Sequence, residues 1–233
     1  MYTLSTSIFG KMLTSSTWLR HDGFVPRKLS PRQIFPPRGY HHGNLRAALI
    51  EAGLKLIEEQ GVRALTLREI GNRAGVSRMA AYRHFANKEA LLSAISEAGF
   101  VEFAAALESA REQAGMGCEA RLAAMAVAYV RFAAEHWAHF EVMFGSGGRS
   151  GAAPGGAAAK RAFDALEQTI REGQENGEVR PGNSIALAQA AWALVHGIST
   201  LGMEGGARGL AIDATFTRMC SDFLWSGLAA HNE

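Results

Sequence analysis

The sequence predicts an all-α protein, and three observations carry that expectation. Alanine, leucine, glutamate and arginine recur through the second half with few β-branched runs. Only 6 prolines in 233 residues leave long stretches free to be helical. Apolar residues repeat at helical spacing behind residues that suit N-caps. The chain is 48% hydrophobic and 20% charged, which supplies a packed core and excludes a wholly disordered protein. Its 26 glycines follow no three-residue period, which excludes a collagen-like one.

Residues 1–39 show no sustained periodicity and contain Pro26, Pro31, Pro36 and Pro37, so they read as a disordered basic leader, or equally as sequence upstream of the true start. Met1 to Leu19 lacks the basic start and firm apolar core of a secretory signal. From Asn44, a stripe of Leu45, Leu49, Ala52 and Leu56 predicts a helix over about 44–60, stopped by Gly61. Thr66 and Glu69 have capping-box spacing, with each side chain expected to satisfy the other's backbone N–H, and open a helix over about 67–73. Gly75 breaks that helix and Ser77 caps another over about 78–84. Two short helices joined by a three- or four-residue glycine turn make a helix-turn-helix. Asn87 caps a fourth helix, which starts at Lys88 and runs past Phe100. Longer helices follow at about 119–144, 157–176, 183–203 and 208–228.

The glycine-rich string from Gly145 to Gly156 follows a helix and lacks the Gly-Lys-Ser/Thr of a nucleotide loop, so it reads as a surface loop. The domains expected are a leader (1–39), a helix-turn-helix domain (40–98) and a helical domain (99–233). Charge is graded along them. Residues 1–40 hold 6 Lys and Arg against 1 acidic residue, residues 41–100 hold 8 against 6, and residues 101–233 hold 10 against 15. A polyanion is therefore expected near the N-terminus.

The stretch Thr66 to Leu92, TLREIGNRAGVSRMAAYRHFANKEALL, resembles the N-terminal DNA-binding domain of the tetracycline-repressor (TetR) family over roughly residues 40–98. Both caps, the glycine turn, Tyr82-x-x-Phe85 and Lys88-Glu-Ala-Leu-Leu are in register, and Tyr40 to Arg46 is similar to the start of one branch. Leu65, Ile70, Ala74, Val76, Tyr82, Phe85 and Leu91 fall where that family's small core lies. Physically, a short helix entered at Ser77 lies in a major groove with its first residues against base edges. Arg78 suits a bidentate guanine contact or a phosphate clamp, while Met79 and Ala81 offer apolar contact. The resemblance implies phosphate contacts for Tyr82, His84 and Lys88. With Thr66, Arg68 and Ser77 these complete the expected DNA-facing set.

Trp192-Ala-Leu-Val-His196-Gly197 resembles the signature of one TetR ligand-sensing branch named for Trp, His and Gly. Trp192 and His196 share a helix face. Either they are core, or they line an effector pocket with Met125, Tyr129, Trp137, Phe140, Phe144 and Phe163, among other apolar residues, suited to a small hydrophobic ligand. Gly197 would admit a close helix. His136 and His139 are spaced for metal, yet no third ligand is apparent and no metal or cofactor is expected. Cys118 and Cys220 read as reduced buried thiols in a cytoplasmic protein.

The last two helices carry more apolar surface than a monomer buries, including Ile212, Phe216, Met219 and Phe223, which predicts dimerisation, and the resemblance implies a homodimer that reads a near-palindromic operator. Ala186 to Met203 contains Gln189 and His196, and no membrane partner is expected. The reading is a ligand-responsive transcriptional regulator, most often a repressor in such families. The rivals are a constitutive DNA-binding protein and a small-molecule enzyme, and no local catalytic motif supports the latter.

Overall fold

The computed structural model describes residues 45–145, 156–203 and 213–230. The leader, Tyr40 to Asn44, most of the glycine-rich string and Ile212 lie outside the described residues. Among the described residues the chain forms nine α-helices, one 3-10 turn (Val62–Ala64) and no extended strand pair beyond an isolated bridge from Val179 to Ala229. In chain order the helices are α1 (Leu45–Gln60), α2 (Leu67–Arg73), α3 (Arg78–His84), α4 (Lys88–Gln113), α5 (Cys118–Glu135), α6 (Trp137–Phe144), α7 (Gly156–Glu175), α8 (Ser184–Met203) and α9 (Ala214–Leu228).

Two apolar clusters organise these helices. The first gathers Leu49, Leu56 and Ile57 of α1, Ile70 of α2, Ala81 of α3, and Leu91 and Ile95 of α4. The second gathers Phe100, Phe103 and Leu107 of α4 with the inner faces of α5 to α9. Helix α4 runs through both, and α6 also serves both. Its Ala138 and Val142 enter the first cluster, and its Phe140 and Met143 the second.

That double duty explains a departure from the expected continuous helix over 119–144. The chain breaks at His136, whose backbone (φ −119°, ψ 41°) leaves the helical region without any glycine or proline to force it. The ladder bonds on either side survive, from His136 N–H to Phe132 C=O and from Phe140 N–H to His136 C=O. A straight helix has one apolar face, whereas α6 must turn to put alternate residues into two cores. The last helix also begins later than expected, at an N-cap where Asp213 accepts from the Phe216 N–H at 2.8 Å.

Below the second cluster, α7 and α5 approach closely at Gly173. A Cβ there would stand 2.7 Å from both Cys118 Sγ and a Val179 methyl, so no larger residue fits without a shift. Burial pushes the Cys118 thiol up to about 12, which makes it an unreactive core residue at neutral pH.

Candidate nucleic-acid interface and effector cavity

Helix α2 starts where Thr66 Oγ1 accepts from the Glu69 N–H at 3.2 Å, and α3 where Ser77 Oγ accepts from the Ala80 N–H at 3.2 Å. Each cap satisfies a donor that a helix of seven residues has no internal partner for. The capping box at Thr66 is only half formed. The Glu69 carboxylate accepts from Arg73 instead, and Arg73 also pairs with Glu59 of α1 at 2.8 Å, which ties α2 to α1.

Between the helices Gly75 takes φ +69°, a left-handed conformation that favours glycine. Gly71 of α2 faces Ala81 of α3, and a Cβ on it would make ordinary van der Waals contact with the Ala81 methyl at 3.5 Å. The result is a rigid pair with one face of α3 turned outward.

That outward face carries Arg78, Met79, Tyr82, Arg83 and His84, all exposed, and Met79 is 72% exposed. The Arg78 guanidinium lies 5.4 Å over the Tyr82 ring, one turn along the same helix. Thr66, Arg68 and Ser77 are exposed at the entrances of α2 and α3. Two expected positions are corrected. Ala81 is fully buried against Gly71 and reaches no ligand, because it is the α3 residue that closes the turn. Tyr82, read above as part of the small core, is 42% exposed, which suits the phosphate contact that the resemblance implied.

Lys88 is engaged from within. Its ammonium donates to the Val62 carbonyl at 2.9 Å and more weakly to the Arg63 carbonyl at 3.5 Å, fastening α4 to the 3-10 turn. At most one of its three donors stays directed elsewhere. Lys88→Met is therefore expected to destabilise the head by about 1–2 kcal/mol, read as a lower denaturation midpoint. Sequence reasoning missed Arg83, a further cation on the same exposed face, and Arg46, whose guanidinium lies 5.4 Å over the Phe85 ring. The absence of any acidic residue from α3 was the signal available for Arg83.

In the second cluster the aromatic residues meet around Phe103. Tyr129 packs edge-on to it at 4.8 Å, Trp192 at 5.9 Å and Phe144 at 6.3 Å. The Tyr129 hydroxyl and His196 Nδ1 are 2.9 Å apart, and Phe140 stacks on the imidazole at 5.5 Å. Burial holds His196 below the usual histidine range and pushes the Tyr129 phenol well above its own. Both are neutral at pH 7, and the tautomer of His196 sets which of the two donates across this contact.

Beside them lies an apolar cavity between α4, α5, α7, α8 and α9, lined by Leu107, Met125, Tyr129, Trp192 and Val195 with the hydroxyl residues Thr217 and Ser221. Its interior is small, about 40 Å³ open to the centre of a water molecule, which is room for a few waters. Of the expected pocket residues, Met125, Tyr129 and Trp192 line this cavity. Phe140, Phe144 and His196 form the aromatic wall next to Tyr129, and Phe163 packs on Trp192 at 6.0 Å. Trp137 is a correction. It is 39% exposed at the start of α6 and joins none of these ring contacts. The contribution of α9 was missed, although Thr217, Ser221 and Leu224 share one helical face in the sequence.

Comparison with known proteins meets this geometry from both ends. Residues 49–95 match the family described as bacterial regulatory proteins, tetR family, and residues 122–223 match the tetracyclin repressor-like C-terminal domain. The chain belongs to the TetR family. Its reading head is 48% identical over 54 residues to the tetracycline repressor protein class A from transposon 1721 of Escherichia coli. That match spans 23% of this chain and 25% of the relative, so the curated relatives align only through about a quarter of their length. A solved protein of unknown function from Rhodococcus sp. RHA1 is similar over 82% of this chain and 98% of its own, with 37% identity and a TM-score of 0.72. A regulatory protein in the tetR family from Rhodococcus RHA1 shares the fold at 22% identity and a TM-score of 0.64, over 80% and 97% of the two chains. Within a TetR-family chain, α2 and α3 are the helix-turn-helix, and the matched C-terminal domain supplies most of the cavity wall, with Leu107 of α4 outside the match.

Proposed function

We propose that this TetR-family protein is a cytoplasmic transcriptional regulator, acting as a repressor. It binds a near-palindromic DNA operator as a homodimer and releases it when a small hydrophobic effector binds. The domains read from the sequence are part of the proposal, with 40–98 binding DNA and 99–233 binding the effector and the partner. The observation that carries the reading is the outer face of α3, where Arg78, Tyr82, Arg83 and His84 stand exposed on a doubly capped scaffold. Arg78 reads a guanine edge and Met79 makes apolar contact, while Thr66, Arg68, Ser77, Tyr82, His84 and the remaining Lys88 donor hold phosphates.

Dimerisation is supported by the outer faces of α8 and α9. Ile185, Leu194, Leu201, Met219 and Phe223 are exposed there as large apolar residues. A Cβ at Gly197 would have no neighbour within 4 Å among the described residues, so a second helix has room to approach α8. Helix α8 is also long and apolar enough to cross a membrane, as is α4. For α8, a polar pair such as Gln189 and His196 on an otherwise apolar helix suits a protein partner better than lipid.

The effector mechanism follows from the size of the cavity. A space for a few waters accepts a larger ligand only in a conformation that opens it, so an effector binds that conformation preferentially. Leu107 of α4 is part of the wall, and α4 carries Leu91 and Ile95 into the core of the reading head. Opening the wall therefore moves the heads, and differential affinity lowers operator occupancy. No enzymatic step is needed.

Selection of bound duplexes from a random pool, repeated with candidate apolar ligands, tests the reading. A half-site repeated about one helical turn apart is expected, with occupancy reduced by one ligand class. Recovery of no preferred duplex would refute it. Within the selected site, Arg78→Ala is expected to cost about 1–3 kcal/mol and relax choice at one base pair, read by competition binding against single-base variants. A uniform loss across all variants would place Arg78 on a phosphate instead.

A further inference from the structure

One group of side chains belongs to neither the reading head nor the cavity. Glu102 of α4 meets His136 at the α5–α6 break and His139 in the first turn of α6, and their ligand atoms all lie within 4.8 Å of one another. The residue that local sequence did not supply comes from another helix. Gly99, one turn before Glu102, makes the meeting possible. A Cβ there would stand 2.6 Å from Met143 Sδ and 3.0 Å from His139 Cδ2, so α6 lies against α4 only because that position is bare.

The exposed His136 ring stacks on Phe132 at 4.7 Å with 29° between planes, which leaves its nitrogens at the edge. His139 is buried while Glu102 and His136 are exposed, so the group has a wet side and a dry side. Two imidazoles and a carboxylate match the donors that hold zinc with one open position.

We propose that Glu102, His136 and His139 form a site for a divalent transition ion of the zinc type, with water as the fourth ligand. Tetrahedral zinc sets its donors roughly 3.4 Å apart, and turning the exposed Glu102 and His136 side chains inward supplies the closure without moving His139. The ion joins α4 to the α5–α6 corner. These are the same two elements that carry Leu91, Ile95, Ala138 and Val142 into the core of the reading head. Metal occupancy thus fixes the elements through which an effector would act, and the site stands whether or not the effector reading holds.

The test uses the full chain without an affinity tag, stripped with a chelator and titrated with zinc chloride by calorimetry and against a chromophoric chelator. One ion per protomer is expected. Glu102→Gln and His136→Gln, both at exposed positions, are each expected to weaken zinc at least about tenfold while leaving the zinc-free melting temperature unchanged. Cobalt(II) is expected to give the intense visible bands of low coordination in the parent protein and to lose them in both variants. No bound zinc would overturn the proposal. So would undiminished affinity in both variants, which would assign the ion to other histidines or cysteines such as His41, His42 or Cys220.

Discussion

Phe223→Glu is expected to produce a folded monomer that binds a two-half-site operator at least about a hundredfold more weakly than the parent. Phe223 is 72% exposed on α9, beside the exposed Met219, so its removal costs the protomer little of its own packing. In the proposed dimer it is desolvated, and a carboxylate placed there loses its water without gaining a partner. Two linked heads hold an operator because the second binds at high effective concentration once the first is seated, and a monomer forfeits that term. Sedimentation and gel-shift titration at one fixed salt concentration measure both parts. A dimer that persists would move the interface elsewhere. A monomer with undiminished operator affinity would show that the heads act singly.

Phe103→Ala is expected to lower the free energy of unfolding by about 3–5 kcal/mol. Phe103 is fully buried and sits at the centre of the aromatic group, with ring centroids at 4.8 Å to Tyr129, 5.1 Å to Phe132 and 5.9 Å to Trp192. The lost transfer free energy is joined by that of a cavity that rings on α5, α6 and α8 are too rigid to fill. Denaturant midpoints at one protein concentration give the value, the concentration being fixed because dimerisation contributes to apparent stability. A loss below about 1 kcal/mol would mean that the cluster collapses freely and that the neighbouring cavity is soft.

The reading head was legible almost residue by residue because its signals are local. Thr66, Ser77 and Asn87 each accept from a backbone N–H three residues on, and Gly61 and Gly75 each adopt the left-handed conformation expected of them. Caps and stops act within one helical turn, so short windows contain them. The departures occurred where a side chain had a competing partner. Glu69 was expected to close the capping box, but Arg73 was available to it. Lys88, expected to face phosphate, also donates to the carbonyls of Val62 and Arg63, which stand 26 and 25 residues away in sequence and within reach in space. Ala81 and Met79 looked alike as small apolar contacts. Which one faces out depends on where α2 packs, and Gly71 meets Ala81.

The second half followed the same division. Sequence identified Met125, Tyr129 and Trp192 as apolar residues at helical spacing, and all three reach the cavity. It placed Trp137 with them because a stripe on an unbroken helix would have done so, and the break at His136 rotates it out.

The sequence by itself determined an all-α chain, the helix starts and stops of its reading head, and a basic helix-turn-helix in its first half, because caps, glycine turns and 3.6-residue periodicity are properties of neighbouring residues. Only the tertiary structure decided where α5 bends, which face of α3 looks outward, and that Glu102 stands beside His136 and His139. Those outcomes depend on two cores competing for the same helices, and a side chain's burial is settled by what packs against it from elsewhere in the chain.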